Sequence, residues 1–479
     1  METHSLGHLI GGEWTGADDA LESRNPSNTK DIVARFPDGT AEDVNRAVAA
    51  AQQAFPAWSA ASPEVRADLL DKIAATLFER AAELGELLAR EEGKIRAEGM
   101  GETLRAARIF RYFAGEALRR HGLTLESTRP GLDVATYREA LGVIGLITPW
   151  NFPIAIPAWK IAPALAFGNA VVLKPANITP AVASALARII DECGAPAGVF
   201  NLVLGRGDVG RALVDHADVA AISFTGSQEV GAAVGKAAVA RQARVQMEMG
   251  GKNPLVILAD ADLDKAVAIA ADGGFLQTGQ RCTASSRVIV EDAIHDRFVE
   301  ALAQKAQSLK VGGALAEGTQ IGPASSKTQL EQNLRYVGIA RDEGGRIATG
   351  GERLELETPG YFMQPTLIAD TRPDMRINGE EVFGPVVSTI RAKNYEEALE
   401  IANMGDFGLS AGIVSNNARH IRDFRKRIRA GMVMVNLPTA GVDYHVPFGG
   451  TRGSSYGPRE QGYAAVEFYT QIKTVYTGD

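Results

Sequence analysis

Apolar residues recur at helical spacing early in the chain. Leu70, Ile73, Leu77, Leu84 and Leu88 fall on one face of a helix. Ser62-Pro63-Glu64 predicts its start: a capping hydroxyl, a proline at the first helical position and an acid in the first turn. A second helical pattern spans 101–120, residues 133–139 are β-like, and the first 140 residues read as mostly helical. The pattern then changes. Short apolar runs at 143–147, 170–174, 199–204, 219–224 and 254–258 alternate with helical segments such as 180–192 and 227–240. Strands separated by helices, with no hairpin signals, predict crossovers and a largely parallel sheet of dinucleotide-binding type. A second alternating region, 263–435, predicts strands at 286–290, 386–390, 411–414 and 432–436. Its helices are expected at 294–308, 327–342, 395–404 and 417–429. The tail, 463–477, is β-prone and must pair with something. The expected fold class is α/β, with two parallel-sheet lobes.

Composition adds limits. The 479 residues are 45% hydrophobic and 23% charged, which suffices for a full core without staples and excludes disorder of the body. The net charge of −8 argues against a chain-wide phosphate-binding surface, so no nucleic-acid partner is expected. Two cysteines, Cys193 and Cys282, cannot form a disulfide framework, and a reducing compartment is the default. Residues 1–10 lack a signal-peptide pattern. The apolar stretch 141–173 is interrupted by Pro149, Asn151, Pro153, Pro157, Lys160 and Pro163, so no membrane span is expected. The reading is a soluble, cytoplasmic protein.

Several residues carry candidate chemistry. Cys282 lies in Gly279-Gln280-Arg281-Cys282-Thr283. A buried cysteine is usually a small hydrophobe, but the adjacent Arg281 could favour the reactive thiolate. Cys193 reads as structural. Glu248 stands between Met247 and Met249. Partial desolvation there would raise its pKa toward that of a general base, although a salt-bridged role is the alternative. Asn151, in Thr148-Pro149-Trp150-Asn151-Phe152-Pro153, offers a fixed amide donor for an oxyanion, or caps a turn. Gly205-Arg206-Gly207-Asp208-Val209-Gly210 matches G-x-G-x-x-G but lacks the acid expected after the next strand. Phe224-Thr225-Gly226-Ser227, followed by Val230-Gly231, fits a pyrophosphate better: a strand ends and a helix opens. Lys174 projects from the carboxyl edge of the same sheet.

Together these segments resemble the aldehyde dehydrogenase superfamily. The matching pieces are TPWNFP (148–153), VVLKPA (171–176), FTGSxxVG (224–231), MEMGGKNP (247–254), GQRC (279–282), EEVFGPV (380–386) and PFGG (447–450). The segments 442–447 and 454–462 are similar to bacterial α-ketoglutarate semialdehyde (2,5-dioxovalerate) dehydrogenases. The resemblance implies a Rossmann-like cofactor lobe (1–122 and 142–251) and a catalytic lobe (252–454). A β extension (123–141 and 455–479) would pair chains into a homodimer or homotetramer. It implies a Cys282 thiolate attacking an aldehyde, Asn151 and the Cys282 N–H stabilising the oxyanion, and Glu248 activating water against the resulting thioester. Lys160 matches a family lysine near the site; a structural ion pair is its other role. The NAD(P) contacts implied are Trp150, Lys174, Asn177, Gly207, Gly226, Ser227, Gly231, Glu381 and Phe383. Phe152, Ile156, Trp159, Arg281, Thr283 and the 437–446 loop with His445 would line the aldehyde tunnel. No metal-ligating cluster is apparent.

One departure bears on the cofactor. The family often has Lys-Pro-x-Glu at 174–177, and here the fourth residue is Asn177. A carboxylate would repel a 2′-phosphate; a neutral amide would not, so NADP is plausible beside NAD. Arg281 either clamps a substrate carboxylate or pairs with a protein acid. The rival functions are oxidation of neutral aliphatic or aromatic aldehydes, CoA-acylating semialdehyde oxidation, and a catalytically silent binding or structural protein. Retention of Cys282, Asn151 and Glu248 argues against the last two.

Overall fold

The computed structural model describes residues 2–16, 20–119 and 122–478. Met1, Arg120 at the end of the second predicted helix, and Asp479 lie outside the described residues. The first lobe is an eight-stranded sheet. Its order is Ser455–Tyr456, Arg244–Glu248, Val219–Thr225, Val143–Ile147, Ala170–Lys174, Phe200–Leu202, His8–Ile10 and Glu13–Thr15. The five central strands are parallel and the additions at both edges antiparallel. From Val143–Ile147 the chain proceeds outward through Ala170–Lys174 and Phe200–Leu202, then returns to the other side with Val219–Thr225. The strand order therefore reverses between Val143–Ile147 and Val219–Thr225. That reversal opens a crevice at the carboxyl ends of the strands, where nucleotides bind in such sheets. Residues 148–153 leave one of these two strands and Gly226-Ser227 leave the other.

Only Met249 to Lys252 separate Arg244–Glu248 from Asn253–Ile257, the first strand of the second lobe. The carboxyl edge of one sheet thus faces the amino edge of the other. The second sheet runs Arg346–Thr349, Thr366–Thr371, Val386–Ala392, Ser285–Glu291, Asn253–Ile257, Ser410–Val414 and Met432–Val435. All neighbours are parallel except Arg346–Thr349 with Thr366–Thr371. Cys282 sits on the loop that enters Ser285–Glu291, so it reaches the cleft between lobes.

The predicted elements at 143–147, 170–174, 180–192 and 327–342 coincide with Val143–Ile147, Ala170–Lys174, Pro180–Glu192 and Lys327–Asp342. Others differ. The helix that Ser62 caps ends at Glu79, and Ala81–Glu91 forms a second one, with Arg80 out of helical conformation between them. Both helices pack on Arg96–Ala117, both also touch Pro180–Glu192, and Leu70, Ile73, Leu77, Leu84 and Leu88 join one core. The latter helix begins before residue 101 because Glu98 accepts the Ile95 N–H at 3.2 Å and closes its first turn. Helices fill most of 41–117 as expected, but the described residues before 41 form no helix. His4–Ser5, His8–Ile10, Glu13–Thr15, Leu21–Arg24 and Ile32–Phe36 are strands that pair with one another, and Leu9 also lies opposite the distant Leu202.

The apolar stretch 141–173 folds into strand, helix and strand. Its helix, Ala155–Ala166, is buried on every side, as all-round hydrophobicity requires. Among the described residues no helix is long and apolar enough to cross a membrane. The tail is β only in part. Val466–Tyr469 forms a helical turn that buries Phe468 and Tyr469 in the first core. The Arg244 guanidinium donates to the carbonyls of Glu467, Phe468 and Thr470 and so ends that turn. Thr470–Gly478 then pairs antiparallel with Leu132–Ala140, whose other edge takes Thr124–Glu126.

Candidate active site

Two cavities meet at Cys282 and Ile156. One, of about 230 Å³, is lined by Trp150, Asn151, Thr225, Gly226, Ser227, Glu381 and Phe383 among others. The second, of about 270 Å³, is lined by Phe152, Trp159, Arg281, Thr283 and Phe448, with Arg105, Glu98 and Glu102 from Arg96–Ala117. Cys282 and Ile156 line both, and of the two only the cysteine carries a nucleophile.

The loop before Cys282 is held in an unusual shape. Gln277, Thr278 and Gly279 have φ of 54°, 56° and 62°. A Cβ at residue 279 would lie 2.2 Å from the Gly384 carbonyl oxygen, so only glycine fits there. Side-chain bonds secure the strained turn. The Gln277 N–H donates to Glu98 at 3.0 Å, Thr278 Oγ1 to the Gly322 carbonyl at 3.1 Å, and the Ser325 N–H to Gln280 Oε1 at 2.9 Å. Beyond the cysteine, Asn253 Nδ2 donates to the Cys282 and Ala284 carbonyls at 2.8 and 2.9 Å.

Burial pushes the Cys282 thiol up to about 12, and the Glu381 and Glu248 carboxylates add to this; the N–H groups of Cys282 and Thr283 pull the other way. The neighbouring-cation argument therefore needs correcting. Arg281 Nη2 donates to the Asp272 carbonyl and, at 3.2 Å, to the Gly273 carbonyl, with the Asp272 carboxylate 3.8 Å away. Arg281 and Cys282 both line the second cavity and their charges attract, but burial outweighs that attraction at the sulfur. Arg281 Nε is buried without a partner, and the residue still lines the second cavity.

Asn151 is 4% exposed, and its Nδ2 donates to the Gln280 carbonyl at 3.1 Å. Glu248 ends its strand and lines neither cavity. Ser455 Oγ donates to it at 2.5 Å. Burial first, then the Glu460 carboxylate, raise its pKa well above the ordinary carboxylate range. Lys160 forms a buried ion pair with Glu460 and donates to Ser223 Oγ at 2.7 Å. It lines neither cavity, so its direct contacts are those of an ion pair near Glu248.

On the cofactor side, Ser227 Oγ accepts the Val230 N–H at 3.4 Å and caps Gln228–Ala240, whose N-terminus opens at the first cavity. Gly226 is required because a Cβ would meet the Phe224 ring at 2.5 Å. Gly231 is buried, and its missing side chain makes room for Met249, so it packs the helix on the strand instead of lining the cavity. Trp150 and Phe383 meet edge to face with centroids 5.4 Å apart. Glu381 accepts the Gly251 N–H at 2.8 Å, and burial pushes its carboxyl up to about 7.

Lys174, Asn177 and Gly207 lie outside this cavity, at the outer part of the same sheet edge. Burial pushes the Lys174 ammonium down to about 8 against the opposing Asp38 charge. Asp38 is held by Arg206 at 2.8 Å through Nε, at the start of Gly207–Asp215. The residues fit a dinucleotide: a capped helix end, an aromatic pair, and Thr225 Oγ1, which lines the cavity and has no partner.

His445 is exposed and does not line the tunnel; the 437–446 loop reaches it through Ala440, Gly441 and Val442. Glu98, Glu102, Arg105 and Phe448 were not anticipated there. The signal was available: three charged residues at 98, 102 and 105 share one helical face with the buried Ile109 and Phe113.

The comparisons with known proteins meet this geometry. The model of the family described as "Aldehyde dehydrogenase family" matches residues 14–475. The chain belongs to the aldehyde dehydrogenase family. It is an NAD(P)-dependent enzyme that oxidises an aldehyde to a carboxylic acid. Similar curated aldehyde dehydrogenases include an α-ketoglutaric semialdehyde dehydrogenase from Bacillus subtilis (strain 168). It is 44% identical, over 99% of this chain and 98% of that one. An α-ketoglutarate semialdehyde dehydrogenase from Haloferax volcanii is also 44% identical, over 98% of both chains. Among solved structures, betaine aldehyde dehydrogenase from Staphylococcus aureus in complex with NAD+ superposes with a TM-score of 0.96. It is 34% identical and covers 99% of this chain and 95% of its own.

Proposed function

We propose that this aldehyde dehydrogenase oxidises an acidic semialdehyde, α-ketoglutarate semialdehyde or a close relative, through a thioester on Cys282. The observation that carries the mechanism is the position of Cys282 at the junction of the two cavities. Its thiol gives its proton to water in the cavity and the sulfur adds to the aldehyde carbonyl, giving a tetrahedral oxyanion. The Asn151 amide and the Cys282 N–H stabilise that charge in a water-poor site. Ser227, Glu381, Phe383, Trp150 and Lys174 would hold NAD(P)+, which when bound would supply the acceptor for the hydride lost as the oxyanion collapses to the thioester. Glu248 then swings from Ser455 toward Cys282, takes a proton from water, and hydrolysis releases the acid. Lys160 and Glu460 set the charge around that base.

The acidic substrate rests on the two arginines of the second cavity and on the names of the relatives. Arg105 donates through Nη1 to the Val442 carbonyl and through Nη2 to Gln461 Oε1 at 3.2 Å, which aims its guanidinium along the tunnel wall. Both guanidiniums are partly engaged, and Arg105, which ties the helix Arg96–Ala117 to the substrate loop, is the one assigned to a distal carboxylate. Arg105→Leu should raise KM for acidic semialdehydes by about tenfold or more, the loss of one charged hydrogen bond, and change it less than about threefold for a neutral aliphatic aldehyde. Initial rates of cofactor reduction on both substrates check this; equal effects would reject an acidic substrate.

NADP+ is accepted because Asn177 replaces a carboxylate near Lys174. Asn177→Glu should lower kcat/KM with NADP+ relative to NAD+ by at least about tenfold, or ~1.4 kcal/mol of discrimination. An unchanged ratio, measured with both cofactors in parallel, would remove Asn177 from the selection. Self-association is proposed through the three-stranded extension, where Leu125, Ile472 and Tyr476 are exposed. An uncovered edge carrying such residues is a liability unless a second chain covers it. A cytoplasmic location is proposed from the two free cysteines.

A further inference from the structure

Arg96–Ala117 presents Glu98, Glu102 and Arg105 at i, i+4 and i+7, on one face of the helix. Each holds a different loop of the site. Glu98 accepts the Gln277 N–H in the nucleophile loop. Arg105 donates to Val442 in the substrate loop. Glu102 Oε1 accepts the N–H groups of Ile154 and Ala155 at 2.9 and 3.0 Å, at the start of Ala155–Ala166. Its other oxygen accepts from Lys94 Nζ at 2.6 Å. Lys94 Nζ also donates to the main-chain carbonyl of Asn151 at 2.7 Å and stands 4.2 Å from the centre of the Phe152 ring. Glu92 supplies a second carboxylate 4.0 Å from the same nitrogen.

Lys94 and Glu102 have side chains only 1% exposed. Desolvating two such charges is expensive, and buried ion pairs are often replaceable by apolar residues without loss of stability. What an apolar pair cannot do is bond to a carbonyl. Asn151 is held at both ends: its main chain by Lys94, its side chain by the Gln280 carbonyl two residues before Cys282. One amide N–H is used in that second bond, and the other remains for substrate. A displacement of this donor by a fraction of an ångström is enough to lose its effect on a developing charge.

We propose that Lys94, paired with Glu102, is a positioning residue that fixes the Asn151 backbone so that its side-chain amide stands against the substrate oxyanion beside Cys282. This rests on the assignment of Asn151 as the oxyanion donor. Lys94 lines neither cavity and acts only through Asn151.

The test is a double-mutant cycle on the first-turnover rate of cofactor reduction. Lys94→Met should slow that turnover by on the order of 10²-fold, comparable to losing an oxyanion donor. KM for NAD(P)+ and the rate of Cys282 alkylation by iodoacetamide should stay within about threefold of the parent, because neither needs the amide. In an Asn151→Ala background the same change should cost less than about threefold, since no amide remains to be misplaced. Equal losses in both backgrounds, or an unchanged rate in the parent background, would overturn the proposal. If Asn151→Ala alone keeps the full rate, the oxyanion assignment itself falls, and the positioning role with it. Should Lys94→Met not fold, Glu102→Gln keeps the acceptor for Ile154 and Ala155 while removing the charge that anchors Lys94. It is expected to give the same non-additive pattern with Asn151→Ala, and additivity there would equally overturn the proposal.

Discussion

Cys282→Ala is expected to abolish aldehyde-dependent reduction of NAD(P)+, lowering kcat by on the order of 10⁴- to 10⁶-fold, the range for loss of a covalent nucleophile. The substitution removes a single sulfur atom at the junction of two cavities, and the loop backbone is fixed by Asn253, Gln280 and Glu98 without its help. Thermal stability and cofactor affinity should therefore be nearly unchanged, within about 1 kcal/mol. Circular dichroism melting and cofactor titration check the fold, and initial rates at saturating aldehyde check the chemistry. The thiol is not poised as a thiolate at rest. Burial and two carboxylates hold its pKa up at about 12. The parent enzyme's alkylation by iodoacetamide should accordingly be slow at neutral pH and rise as the pH increases.

Glu248→Gln separates the two halves of the reaction. Losing a general base slows the step it serves by roughly 10²- to 10⁴-fold. Hydrolysis of the thioester should become that slow while its formation persists, so rapid mixing should show a burst of reduced cofactor close to one per site and then almost no turnover. The pH dependence follows from the direction of the Glu248 shift. Burial and Glu460 raise its pKa well above the ordinary carboxylate value, so the carboxyl keeps its proton to higher pH than a free carboxylate does. The basic form grows as pH rises through that raised pKa, and kcat should climb with it when hydrolysis limits turnover. The variant should lose that climb. A pH profile falling toward alkaline pH in the parent enzyme would contradict the assigned base.

Much of the fold was legible because its core strands are uninterrupted apolar runs. Residues 143–147 and 170–174 are buried along their length, and such a run between helical segments admits little else. The early strands were not legible. They are two to five residues long, too short for periodicity; they pair largely with one another, and His8–Ile10 also joins Phe200–Leu202 far along the chain. The binary pattern also misleads where charges are buried. Lys94 and Glu102 sit inside where charge is not expected, satisfied by each other and by backbone groups, and the half-buried Glu98 bonds to backbone N–H groups. The residues of the site were found by motif more readily than their orientation. Arg281 was named but its guanidinium turns to Asp272, and His445 was named but stands outside the tunnel. Rotamers and loop directions are decided by tertiary packing, which a local pattern does not carry.

Catalysis here passes through a covalent thioester on Cys282. Its most direct test is mass spectrometry of the Glu248→Gln enzyme, quenched in acid after one turnover with α-ketoglutarate semialdehyde and cofactor. The account predicts an acyl adduct on the peptide containing Cys282, in step with the burst of reduced cofactor. A full burst with no adduct, or with an adduct on Cys193 or another residue, would contradict it.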